Sequence, residues 1–257
     1  MIYADEYIVK KEELTAIADA IRDKTLNAET ITTAEMPGKI GEVYEAGKKA
    51  EYDAFWNYYQ DNGNKEIYDY AFSGRSWTVD TFKPKYDIRP TRAQHMFSQT
   101  GIKGDLVALC EQLGIVVDFS KCKLFSTFAS NAQYVTRFGV IDATKATDTI
   151  AFINCYKLET IDKLIVSTTT KYSAAMFSGD DKLTKLIVEG EIGQKDFNVS
   201  YCPKLSLESI ESIINALSAS TSGLTVTLSK TAKEAAFTDE EWATLIATKS
   251  NWTISLA

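Results

Sequence analysis

The sequence has few of the residues that catalysis and metal binding usually require. Its 257 residues contain one histidine, His95, and four cysteines, and no two cysteines form a C-x-x-C pair. We therefore expect neither a zinc site nor a disulfide scaffold. Cys110, Cys122, Cys155 and Cys202 are instead predicted to be buried free thiols that pack as small apolar side chains.

Motifs that identify common enzymes are also missing. The chain has no Walker loop, no G-x-G-x-x-G and no G-x-S-x-G. A Ser-His-Asp or Cys-His set would have to use His95, which is favoured as a structural histidine because it sits beside Met96 and Phe97. We therefore predict that the protein is not an enzyme and has no catalytic residue, metal or cofactor.

Positive charge and long apolar runs are scarce. With 28 Lys and Arg against 35 Asp and Glu, the net charge is −7, which disfavours nucleic-acid binding because that binding depends on neutralising phosphates. No apolar run approaches the roughly 20 residues of a membrane span. The N-terminus, MIYADEYIVKKEEL, does not have the pattern of a secretory signal. We expect the protein to be synthesised in the cytoplasm, to have no nucleic-acid partner and not to insert into a membrane.

The sequence does contain a repeat. Phenylalanines in similar surroundings recur at spacings of 25, 31, 24 and 25 residues, at positions 72, 97, 128, 152 and 177. Short apolar runs that end in a polar residue (IVVD, GVID, LIVS and LIVE) precede the later positions at a constant distance. Units this short cannot each bury an apolar face, so we predict stacked units with parallel strands and an internal column of phenylalanines.

Other segments differ from the repeat. Residues 104–113 and 207–217 have helical spacing and are predicted to be helices inserted into two units. Near the end, we predict a strand at 224–228, helices at 230–237 and 238–248, and a strand at 252–256, together forming a cap over about 224–257.

The N-terminal segment is predicted to be helical. Residues 11–24 have an apolar face, Thr32-x-x-Glu35 matches a capping box, and a third helix is predicted from about 40 to 60. That helix either forms an oligomer stalk or packs against the first repeat, and both alternatives remain open. We predict a helical docking or oligomerisation module at 1–62 and the repeat domain at 63–257.

The segment AFINCYKLETI resembles the A-F-x-x-C-x-x-L-x-x-I consensus of BspA-type leucine-rich repeats, and MFSGDDKLTKLIV and NVSYCPKLSLESI resemble degenerate copies. The resemblance covers about residues 68–257. It implies an α+β fold with a small N-terminal helical module, an irregular leucine-rich-repeat β-solenoid with helical insertions, and a C-terminal α/β cap. It also implies binding, often to cell surfaces or glycans.

The stretch YIVKKEELTAIADAIRDKT…ITTAEMPGKIGEV resembles a helical module at the start of many phage and prophage tail-associated proteins of Gram-positive gut bacteria. This resemblance implies a non-enzymatic virion protein that binds a host-surface protein or glycan. Its N-terminal helices would contact other tail proteins, and a homotrimer is one expected assembly. The alternative is a BspA-like adhesin or protein-interaction module that is secreted or located on a bacterial surface.

Two sets of side chains are candidates for ligand contacts. Exposed tyrosine combines contact area with a hydrogen bond, and the recurring tyrosines are the predicted ligand-binding residues: Tyr134, Tyr156, Tyr172 and Tyr201. A column of acids at the strand ends could hold a cation, although solvated strand ends are the favoured interpretation. These acids are Asp87, Asp118, Asp142 and Glu189.

Overall fold

The computed structural model describes residues 50, 55–56, 60, 66–74, 77 and 81–257. The chain divides into two compact units, Met1–Phe55 and Trp56–Ala257. The helices predicted for residues 1–62 lie almost entirely outside the described residues, so the docking module and its boundary stay predictions. The fold described below is that of the second unit.

The first sheet of this unit is entirely parallel, with strand order β1-β2-β3-β4. Its strands are β1 (Gly104–Asp105), β2 (Val135–Asp142), β3 (Thr160–Val166) and β4 (Lys185–Gly190). Ile141 pairs with Leu164, and Ile161 pairs with Leu186. These four side chains are buried. Their apolar faces therefore define the register, because a slip of one residue would turn them to solvent.

A second parallel sheet, of three strands, lies nearer the C-terminus in the order β5-β6-β7. Its strands are β5 (Phe197–Val199), β6 (Leu224–Leu228) and β7 (Trp252–Leu256). The described residues also form four helices: α1 (Leu106–Gln112), α2 (Leu207–Ala216), α3 (Lys230–Ala236) and α4 (Asp239–Ala247). All are too short or too polar to cross a lipid bilayer.

Phenylalanines fill the centre of the unit. Neighbouring rings along the repeat lie in contact, with centroid distances of 5.2 Å for Phe72–Phe97, 5.3 Å for Phe97–Phe128, 5.8 Å for Phe128–Phe152 and 5.8 Å for Phe152–Phe177. All five side chains are buried. Burial of each ring stabilises the fold by on the order of 2 kcal/mol. Contacts between neighbouring rings add a further attraction.

The predicted fold class was wrong. We expected an α+β protein in which one continuous ladder of strands forms a β-solenoid with helical insertions and a cap. The described residues instead form an α/β arrangement of two small, separate parallel sheets with four helices.

The ladder is interrupted at β4 because a helix, and not a strand, lies along its edge. Ser209 and Ser212 of α2 accept the backbone N–H groups of Leu186 and Val188 at 3.0 and 3.1 Å. The Ser212 hydroxyl also donates to the Leu186 carbonyl at 3.2 Å. These serines make the hydrogen bonds that a fifth strand would have made, so the next strand of the chain begins a new sheet.

Candidate functional site

The turns before the strands of the first sheet meet at one edge, because parallel strands all begin on the same side. Each turn contains a residue with positive φ: Asn131 (59°), Asn154 (58°) and Gly179 (85°). Asparagine and glycine tolerate this left-handed conformation better than other residues. The sequence thus favours tight turns at this edge, which we call the tyrosine edge after Tyr134 and Tyr156.

Hydrogen bonds hold these turns in register. The backbone N–H of Asn131 donates to Ile153 O at 2.6 Å, and that of Asn154 donates to Ser178 O at 2.7 Å. The Asn154 side chain donates through Nδ2 to Oδ1 of Asn131 at 3.2 Å. The turns form a rigid surface on which side chains of neighbouring turns keep fixed separations.

An open hollow of about 420 Å³ lies at this edge, lined by Gln99, Thr100, Asn131, Gln133 and Tyr134. Amide and hydroxyl side chains supply both donors and acceptors, while the tyrosine ring offers an apolar face. The lining residues carry no formal charge. This combination suits a neutral ligand that has many hydroxyl groups and apolar C–H faces, such as a sugar.

Tyr134 is the best-placed of the predicted tyrosines. Its side chain is 50% exposed, and its carbonyl accepts the N–H of Gly104 at 2.9 Å. The ammonium group of Lys103 lies 6.0 Å from the ring centroid, a cation–π distance. The backbone of Tyr134 is therefore fixed while its ring remains accessible.

The other three predicted tyrosines differ in their surroundings. Tyr156 and Tyr201 are exposed, and no ring contact joins any two of the four tyrosines. Tyr172 is only 1% exposed, its hydroxyl donates to the Lys195 carbonyl, and burial raises its pKa to about 12. The expectation that Tyr172 is an exposed contact residue was wrong, because it follows the end of β3 and packs inward against Phe197.

The acidic column is engaged within the protein. Arg89 bridges Asp118 and Asp87 at 2.6 and 3.0 Å. The pKa of Asp87 is lowered mainly by the hydrogen bond that it accepts from the backbone N–H of Val116. Its hydrogen bond with Arg89 is the next largest cause. Asp142 accepts the backbone N–H and hydroxyl of Thr144 at 3.0 and 2.7 Å.

The last acid of this column, Glu189, forms a salt bridge with Lys163 at 2.6 Å. Within the described ranges, no group of three His, Cys, Asp or Glu residues is arranged to hold a metal ion. The acids therefore serve as turn caps and ion-pair partners at the strand ends.

His95 and the cysteines have structural surroundings. The imidazole of His95 stacks on Tyr70 with a centroid distance of 4.5 Å. The prediction of buried free thiols is confirmed for all four cysteines. Burial raises the pKa of Cys110 and of Cys122 to about 12, so these sulfurs are protonated at neutral pH and are poor nucleophiles.

A second cavity, of about 310 Å³, lies between α1 and β2 and has mostly apolar walls. The one cation among its lining residues, Arg137, is already held by Asp162 at 2.8 Å and by Asp105 at 3.4 Å. Its other polar groups are mostly carboxylates. The hollow at the tyrosine edge has more uncommitted donors and acceptors and is the stronger candidate.

The amide residues of this hollow were not identified from the sequence. Gln99, Asn131 and Gln133 lie up to 34 positions apart along the chain, and only the stacking of turns brings them together. A signal was nevertheless present, because Asn131 and Asn154 each follow a repeat phenylalanine at a turn position.

Comparisons with family models, curated proteins and solved structures found no match to this chain.

Proposed function

We propose that this chain is a non-enzymatic structural protein of a phage or prophage tail that binds the host surface through the unit Trp56–Ala257. The binding partner is a cell-surface protein or glycan, and we favour a glycan. The observation that carries this proposal is the hollow in which Tyr134 lies beside Gln99, Asn131 and Gln133. An accessible aromatic ring surrounded by amides is suited to recognising hydroxyl-rich ligands.

The assignment to a tail rests on the resemblance of the N-terminal segment to modules of tail-associated proteins. In this proposal residues 1–62 contact other tail proteins, with a homotrimer as one assembly, and the protein is located in the virion. The test is to induce the prophage, purify the released particles and look for the chain by mass spectrometry. Recovery with the bacterial envelope, and not with particles, would favour the surface adhesin alternative.

Binding is tested with cell-wall polysaccharide prepared from a panel of Gram-positive gut bacteria. We expect the full chain to bind at least one preparation, and Tyr134→Ala to weaken that binding at least about tenfold, a loss of ~1.4 kcal/mol. The matched control is Tyr86→Ala, since Tyr86 is similarly exposed (53% against 50%) and does not line the hollow.

Circular dichroism confirms that both variants are folded before binding is compared. Equal binding by wild type and Tyr134→Ala would remove the hollow from the proposed mechanism. A similar loss in both variants would indicate a nonspecific contribution from exposed aromatic rings.

A further inference from the structure

The loops that follow α1, β2 and β3 carry a recurring lysine. Lys123, Lys145 and Lys171 are spaced 22 and 26 residues apart. Together they line an open hollow of about 500 Å³, which we call the lysine edge. Lys145 follows β2 and Lys171 follows β3, whereas Tyr134 and Tyr156 precede these strands. The lysine edge and the tyrosine edge therefore lie at opposite ends of the same strands.

Backbone hydrogen bonds fix the loops of the lysine edge relative to one another. The carbonyl of Lys123 accepts the backbone N–H and the hydroxyl of Thr147 at 2.8 and 3.1 Å. The carbonyl of Lys171 accepts the N–H of Ile150 at 3.1 Å. Three successive loops are thus held side by side, at roughly the 4.8 Å spacing of neighbouring parallel strands.

The three ammonium groups have no anionic partner within the described part of the chain. None of these lysines takes part in any of its salt bridges. All three side chains are exposed. Three like charges gathered in one hollow repel one another, and this is notable in a chain with a net charge of −7.

Carboxylates near these loops are occupied by other donors. Asp148 accepts the backbone N–H groups of Phe125 and Ser126 at 2.6 and 2.8 Å, and also the side-chain amide of Gln94 at 3.2 Å. Asp142 is bound by Thr144. The acids of this edge stabilise turns, and the lysines are left to interact with an anion from outside.

The lining of the lysine edge indicates which kind of anion fits. Besides the lysines it consists of Thr144, Ala146, Thr147 and Thr169, so it has hydroxyl groups and no aromatic ring. Proteins that bind single-stranded nucleic acid combine positive charge with aromatic rings on which bases stack. Lysine and threonine without such rings are better suited to a polymer with charged groups and hydroxyls.

We propose that the lysine edge binds a linear polysaccharide that carries negative charges on successive sugars. The polymer runs across the three loops, and each lysine contacts one charged group. This binding goes beyond the function proposed above, since it uses a different surface and a charged instead of a neutral glycan. It does not depend on the hollow at the tyrosine edge.

The probe is immobilised polygalacturonate, whose sugars each carry a carboxylate, and the reference is its methyl ester, which has the same backbone without the charge. We expect the full chain to bind polygalacturonate and not the ester, and to bind more weakly as salt concentration rises. Lys123→Gln/Lys145→Gln/Lys171→Gln should weaken binding at least tenfold.

A second triple variant controls for the change in net charge. Lys157→Gln/Lys185→Gln/Lys204→Gln removes three exposed lysines elsewhere and should bind within about threefold of wild type. The variant Lys123→Gln/Lys145→Gln/Lys171→Gln should keep wild-type binding to the cell-wall preparation whose binding Tyr134→Ala weakens, because none of these lysines lines the hollow at the tyrosine edge, and this separates the two tests.

Several results would overturn the proposal: no binding of polygalacturonate, equal binding of the methyl ester, or equal losses in the two triple variants. Polyuridylate is included as a nucleic-acid probe. If it binds as tightly as polygalacturonate and responds to the same lysines, the assignment to a polysaccharide is wrong.

Discussion

Replacing the buried carboxyl of Asp180 by an amide should change how stability depends on pH. Asp180 is 0% exposed, and its Oδ1 accepts the N–H of Cys155 at 2.8 Å. Its Oδ2 is buried without a hydrogen-bond partner in the described structure. Burial raises the pKa of Asp180 to about 8 from the usual 3.8. The folded protein therefore keeps a proton that the unfolded chain loses at a much lower pH.

The sign and size of the effect follow from this difference. Between about pH 4 and pH 8 the folded state binds one proton more than the unfolded state at Asp180. The free energy of unfolding therefore falls by about 1.4 kcal/mol for each pH unit in this window. From pH 5 to pH 7 the contribution of Asp180 is a loss of roughly 2.7 kcal/mol, which is large against a typical total of about 5–15 kcal/mol.

Asp180→Asn keeps an oxygen for the Cys155 N–H and cannot ionise. We expect the stability of the variant, relative to wild type, to increase by roughly 2.7 kcal/mol between pH 5 and pH 7. The assay is urea unfolding followed by tryptophan fluorescence at pH 5, 6, 7 and 8. The control is Asp181→Asn, because the side chain of Asp181 is 59% exposed and its charge raises the pKa of Asp180 less than burial does, so the pH slope should stay close to that of wild type.

An identical pH slope for wild type and Asp180→Asn would refute the reasoning. It would mean that the carboxyl at position 180 ionises in the folded state as readily as in the unfolded chain. A change in the slope for Asp181→Asn as large as that for Asp180→Asn would equally show that burial of position 180 is not the cause.

Two further predictions concern the edge and the end of β4. The double variant Ser209→Ala/Ser212→Ala leaves two β4 amides without acceptors. It should lower the free energy of unfolding, measured with urea, by about 2–5 kcal/mol. A loss below about 1 kcal/mol would contradict the explanation of why the sheet ends at β4. Gly190→Ala should cost more than about 2 kcal/mol, because φ is +86° and the new Cβ would lie 2.0 Å from the Val166 carbonyl oxygen. Gly223→Ala, also at positive φ but with open space around it, should cost only about 1 kcal/mol, and equal losses would show that the close contact is unimportant.

Local elements of the fold could be predicted because their signals lie within short windows. The helical spacing of Ile210, Ile213 and Ile214 predicted a helix over residues 207–217. The structure has α2 at Leu207–Ala216, with the Ser206 side chain accepting the N–H of Ser209. Hydrophobic periodicity and capping chemistry act over a few residues and are therefore visible in the sequence.

The continuity of the sheet could not be predicted in the same way. Periodicity shows that Ser209 and Ser212 belong to a helix, but it does not show that their hydroxyls replace a strand at the edge of β4. That outcome depends on how α2 is oriented against the sheet. The sequence repeat thus correctly predicted that the phenylalanine rings of neighbouring units lie in contact. It wrongly predicted that the strands form one continuous ladder.

The candidate site was visible in part. Tyrosine recurrence drew attention to Tyr134, Tyr156 and Tyr201, which are exposed. The inward position of Tyr172 depends on the loop between β4 and β5, which places the Lys195 carbonyl over its hydroxyl. The lysines of the lysine edge were overlooked because each is isolated in sequence, and only the stacking of loops gathers them.

The direction of the parallel strands explains why the molecule has two chemically different edges. Every turn before a strand must lie at one end, and every loop after a strand must lie at the other. A residue type that recurs at one position in successive units is therefore collected on one edge, as Asn131 and Asn154 are at the tyrosine edge and Lys145 and Lys171 at the lysine edge. Because register fixes the spacing within each edge, contacts that are weak individually act together on a repeating ligand. A polymer on the cell surface is the kind of partner for which such an arrangement gives the largest gain.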